Sequence, residues 1–183
     1  MKGGREDVRP PDSEPQPNEE IQMSEPPSPD LFRTQLARFQ GWGEAHLALE
    51  AALEGLAPEH RGLRPPGLVH SIWELVEHIR IAQRDLLDFC TAPEYEPRPW
   101  PEAYWPESPT PSAGGEWEDT LAAIAADRED LRRLAVDGGV DLAARAPHAT
   151  ESHQTHLRAL LLAQDHSAYH IGQIVQVRRL LEE

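Results

Sequence analysis

Three of the nine histidines in this chain of 183 residues have the spacing and surroundings of a metal site. His166 and His170 stand four residues apart, and in a helix this puts both imidazoles on one face, about one turn from each other. Two rings so placed can reach one ion. They share a stripe with Ala159, Leu162, Gln173 and Val177, the side that a bundle helix turns inward. On a second helical stretch, His78 shares an apolar stripe with Leu75, Ala82, Leu86 and Phe89, so a third imidazole can arrive from a facing helix. Three neutral imidazoles that leave coordination positions open for water or substrate make a reactive metal site. The plainer reading is that inward histidines are ordinary core residues, and that a pair four apart arises by chance in a histidine-rich chain. Against it stands the cost of burying several imidazoles without partners.

The remaining candidates are weaker. His148, His153 and His156 form a second cluster, but Pro147 and Ser152 mark their surroundings as a loop and helix start facing solvent. His46 and His60 read as ordinary helix and loop positions, and His70, eight residues before His78, as part of a helix start. Glu74 and Asp85 flank the His78 stripe and Asp165 precedes His166; each could orient an imidazole or be a solvated helix-face carboxylate. The zinc-peptidase helix motif fails, because Ser167 stands where its general-base glutamate should follow the first histidine. No nucleophile elbow, phosphate loop or dinucleotide fingerprint occurs.

The elements that must position these side chains are helical. Asp30 can cap a first helix whose apolar residues Leu31, Phe32, Leu36, Phe39, Trp42, Leu49 and Leu53 recur at threes and fours, ending near Gly55 and Pro58. Ser71 caps a second helix to about Cys90, carrying His78. A proline-rich connection over 92–114 holds Tyr95, Trp100, Tyr104 and Trp105; its aromatic residues are expected to anchor it across the bundle, and its length permits a crossover. A third helix is expected over Glu116–Val136 and a fourth from Ser152 to Leu181. No stretch alternates like a strand, so the expected fold is all-α, a four-helix bundle with a long crossover connection spanning residues 30–183. Residues 1–29 contain seven prolines and seven acidic residues with few large apolar ones, which is expected to leave an acidic, disordered tail. Met23 stands close before the first helix and is an alternative start to Met1.

Composition narrows the partners. Seventeen basic residues against 32 acidic give a net charge of −15, which repels nucleic acid and anionic lipid surfaces. No run approaches the roughly 18 apolar residues of a membrane span. One cysteine, Cys90, can form no internal bridge and no thiolate zinc site, so any ion must use His, Asp or Glu, and a cytoplasmic location is expected.

The segments Ser71-Ile-Trp-Glu-Leu-Val-Glu-His78-Ile and Asp165-His166-Ser-Ala-Tyr-His170-Ile-Gly-Gln173 resemble the DinB-like superfamily, which includes the YfiT-type proteins and the bacillithiol S-transferases. The resemblance covers about residues 30–183. It implies a four-helix bundle, a metal triad falling on His78, His166 and His170, and zinc or nickel as the ion. It also implies transfer of a low-molecular-weight thiol to an electrophile as the best-understood activity, and pairing into a homodimer. A metal-dependent hydrolase or isomerase, and a non-catalytic metal-binding stress protein, remain open beside it. The segment Trp100-Pro-Glu-Ala-Tyr104-Trp105-Pro resembles a subset of members to which no activity attaches.

Overall fold

The computed structural model describes residues 29–41, 43, 45–112 and 115–182; residues 1–28 of the expected tail and Trp42 lie outside them, and Pro29 belongs to the first helix. The described residues form five α-helices: α1 (Pro29–Phe39), α2 (Leu49–Leu53), α3 (Ile72–Thr91), α4 (Glu116–Val136) and α5 (His156–Glu182). No strand occurs among them, and one isolated bridge joins Arg145 to Thr155. The fold is all-α. Among the described residues no helix is long and apolar enough to cross a membrane.

α3 is the central element and packs on both α4 and α5, while α1 packs on α4. Its start is set locally: Ser71 Oγ accepts from the Glu74 backbone N–H at 3.2 Å, and the Glu74 carboxylate accepts from the Ser71 N–H at 2.8 Å. Two orphan donors are thereby satisfied reciprocally. The residues that follow bury deeply, with Ile72, Trp73, Leu75, Val76 and Ile79 all 1% exposed or less. Truncating a side chain such as Trp73 to Ala would cost about 3–5 kcal/mol.

Two apolar clusters share the interior. One holds the first half of α3 with Ile171, Ile174 and Val177 of α5; the other holds Leu87 and Cys90 with Ala159, Leu160 and Ala163. On α5, His166 and His170 stand where one cluster gives way to the other.

The single first helix expected over residues 30–55 is in fact α1 and α2, separated by an irregular stretch. Gly41 takes a φ of +112°, a region open to glycine and strained for other residues. Tertiary hydrogen bonds hold this break: Gln40 Nε2 donates to the Leu160 carbonyl at 2.9 Å, and the Gly41 N–H donates to Gln164 Oε1 at 3.0 Å. Leu31 and Phe32, expected inside, are 48% and 46% exposed. α5 begins at His156 rather than Ser152. Before it, the Gln154 side chain accepts from the Thr150 and Glu151 N–H groups and the Gln154 carbonyl accepts from Ala146 N–H, closing a compact loop. Thr155 Oγ1 then accepts from the Arg158 N–H and takes the capping role. The 92–115 connection joins α3 to α4, which pack directly on each other; its length lays aromatic side chains against the histidines.

Candidate metal centre

α3 and α5 bring His78, His166 and His170 together. The three residues each offer a ring nitrogen, all within 4.8 Å of one another. His166 Nε2 lies 3.0 Å from His78 Nε2 and 3.1 Å from His170 Nε2. A tetrahedral ion with metal–nitrogen bonds of 2.0–2.1 Å holds its ligand atoms about 3.3 Å apart, close to the two separations that His166 makes with its neighbours.

The far side of two rings is already committed. His78 Nδ1 donates to the Tyr104 carbonyl at 2.7 Å, and His170 Nδ1 donates to Gln173 Oε1 at 2.6 Å. Both acceptors require the proton on Nδ1, so each Nε2 presents a lone pair toward the other rings. His166 Nε2, close to both, can donate its proton to one of them or, with the proton on Nδ1, present a third lone pair to an ion. Burial pushes His166 down to about 4, assisted by its His170 and His78 neighbours. Burial also pushes His170 down to about 4, against the bond to Gln173, and lowers His78, against its bond to Tyr104. All three are neutral at pH 7, the form that binds metal.

The aromatic connection fixes His78 twice. Trp105 stacks flat on the His78 ring at 3.9 Å between centroids, and His70 stacks on Trp105 at 3.9 Å. Tyr104, whose carbonyl holds His78, donates its own hydroxyl to Asp85 at 2.7 Å; Tyr95 donates to the same carboxylate at 3.2 Å. Asp85 is therefore buried, at 8% exposed, and fastens the connection. Burial and then the Asp85 carboxylate raise both tyrosines, Tyr95 to about 12, so both remain hydroxyl donors.

Not every candidate joins the site. Glu74 belongs to the helix cap and pairs with Arg64 through Nε at 2.8 Å. Burial works to raise its carboxyl, but the bonds from Arg64 and Ser71 hold it below the ordinary range. Asp165 is exposed. His148 Nε2 donates to the Ala92 carbonyl at 2.8 Å, His153 is exposed, and His156 Nδ1 stands 3.3 Å from the Ala144 carbonyl. His70 is closer to the site than its reading as a helix start suggested, and its buried Nδ1 has no hydrogen-bond partner.

A cavity of about 350 Å³ opens beside His166, between α3 and α5 and under Trp100 and Tyr104; Leu86, Phe89 and Leu162 form apolar wall. The DinB superfamily sequence model matches residues 42–174, a span that contains all three histidines, Tyr104, Trp105 and Gln173. The chain belongs to the DinB superfamily. No curated protein and no solved structure matches it. In this member of the DinB superfamily the histidine cluster and the adjoining cavity are the features that bear on a reaction. The match begins beyond α1, so the superfamily pattern centres on the helices that carry the histidines.

Proposed function

We propose that His78, His166 and His170 hold one divalent ion, zinc or nickel, and that the centre activates a low-molecular-weight thiol for transfer to an electrophile lodged in the adjoining cavity. The observation that carries this reading is the convergence of three Nε2 atoms whose rings are held neutral by burial, beside a cavity of small-molecule size. When bound, such an ion lowers the pKa of a coordinating thiol and supplies a nucleophile at neutral pH.

The chain's own residues orient and shield. Tyr104 and Gln173 hold the His78 and His170 rings through their Nδ1 protons, and Trp105 covers the outer face of His78. Leu86, Phe89 and Leu162 give the cavity an apolar wall, and a molecule lying against it would displace water from that side of the centre. Cys90 is not the nucleophile: it is 3% exposed, and burial pushes its thiol up to about 12.

A hydrolase or isomerase using the same triad would be marked by a carboxylate within hydrogen-bond reach of a metal-bound water, and the two candidates are engaged elsewhere. Glu74 is committed to Ser71 and Arg64, and Asp85 to two tyrosine hydroxyls. A binding module without turnover would be better served by a closed site than by one opening beside His166. Metal analysis of untagged protein, followed by a panel of cysteine, glutathione and bacillithiol-like thiols with a chromogenic electrophile, tests the proposal. The loaded protein should exceed its His166→Ala variant with at least one thiol; equal rates throughout would remove the transferase reading. The homodimer implied by the family resemblance belongs to this proposal as well, and light scattering at micromolar concentration decides it.

A further inference from the structure

The cavity beside His166 is built asymmetrically along α5. Arg158, Leu162 and His166 all line it, and their spacing of four residues sets them on one helix face. Arg158 and His166 are eight residues apart, which is about 12 Å along the axis. The order along that face is therefore a cation, an apolar wall and the histidine centre.

Arg158 has no carboxylate within ion-pair distance among the described residues, although the chain carries 32 acidic groups. Gln154 lines the same end of the cavity. Its Oε1 is taken by the Thr150 and Glu151 N–H groups at 2.7 and 2.8 Å, so its amide is oriented while Nε2 keeps its donors. The one acid in the lining, Asp85, accepts both tyrosine hydroxyls and lies 3.8 Å from Arg98, so its charge is already offset.

We propose that the electrophile admitted here has an apolar body and one anionic end, a medium-chain or aryl-alkyl carboxylate in shape, with Arg158 and Gln154 holding the anion and the walls leading the other end to the histidines. This deepens the proposed transferase reading and rests on the cavity serving that centre. A guanidinium fork matches a carboxylate in two-point geometry. The 350 Å³ of the cavity sits at the lower end of small-molecule sites, which suits one such molecule.

The test is calorimetric titration of the cobalt-loaded full chain with octanoate, octanamide and acetate, repeated on Arg158→Gln. Octanoate should bind at least about tenfold more tightly than octanamide, as expected for losing a charge-assisted contact. Acetate should not bind over the same range, and Arg158→Gln should erase the octanoate preference while leaving octanamide unchanged. The visible bands of cobalt should stay unaltered by octanoate, because its carboxylate sits at the far end. Equal binding of octanoate and octanamide, no binding of either, a preference that survives in Arg158→Gln, or cobalt bands that shift on adding octanoate would each overturn the inference. If the chain takes up no cobalt, the metal reading fails, and the same ligand comparison on the protein as isolated still decides the role of Arg158.

Discussion

Two groups of three histidines occupy this chain, and they behave differently. His148, His153 and His156 crowd within nine residues of sequence, yet their rings meet backbone carbonyls or solvent: Ala92 for His148 and Ala144 for His156. His78 lies 88 residues from His166, yet their ring nitrogens converge. Closeness along the chain is a poor guide to a site; what matters is which face of a rigid helix presents the ring and what holds its other nitrogen. The loop before α5 spends its polar groups closing itself. At the α3–α5 contact the backbone is satisfied within helices, so the imidazoles remain available to one another.

Breaking the interior group should have the largest effect. His170→Ala is expected to abolish stoichiometric metal binding by mass spectrometry or elemental analysis, whereas His153→Ala should bind as the parent does; the opposite pattern would move the centre to the start of α5. Gln173→Ala, which frees the His170 ring, should weaken metal affinity by about 10–100-fold, the usual cost of losing such an orienting partner.

Acid should also separate the groups. The folded pKa of His166 and of His170 is about 4, below the unfolded value of about 6.5. As pH falls below about 6.5 the unfolded chain takes up protons that the folded metal-free chain does not. The contribution of these rings to stability is therefore complete above about 6.5 and is lost as pH falls through about 4. The melting temperature of metal-free protein should drop between pH 7 and 5, and a His166→Gln/His170→Gln double variant should drop less. A steeper fall in the double variant would place the acid sensitivity elsewhere.

Smaller effects sharpen the picture. Tyr104→Phe keeps the carbonyl that holds His78 and removes only the bond to Asp85, so metal affinity should fall by about tenfold or less. A loss as large as that of Gln173→Ala would show that the hydroxyl, not the carbonyl, sets the ring. Removing residues 1–28 should leave the melting temperature within a few degrees, given how few large apolar residues they contain; a fall of ten degrees would assign them to the fold.

Much of this was legible in the residues themselves. Ser71 and Glu74 announce the start of α3, and α4 runs over Glu116–Val136 as its pattern requires. The inward histidines were visible from period alone. The break after Phe39 was not, because a helical period continues through it; Gly41 was the available sign, and the bonds from Gln40 and Gly41 that hold the break come from α5. Asp85 reads as an edge carboxylate because its partners, Tyr95 and Tyr104, sit in an irregular segment whose path no local rule supplies. The acceptor for His78 is a main-chain carbonyl, which every residue possesses, so no choice of amino acid at position 104 could reveal it.

The indole of Trp105, pressed flat against His78, gives the protein a built-in optical reporter. Excited tryptophan loses its energy readily to a neighbouring ion with a partly filled d shell, and zinc, with its d shell full, offers no such route. Nickel entering the centre should dim the emission and zinc should leave most of it. A titration in a cuvette, compared with the Trp105→Phe variant, would thus tell the two metals apart by brightness alone.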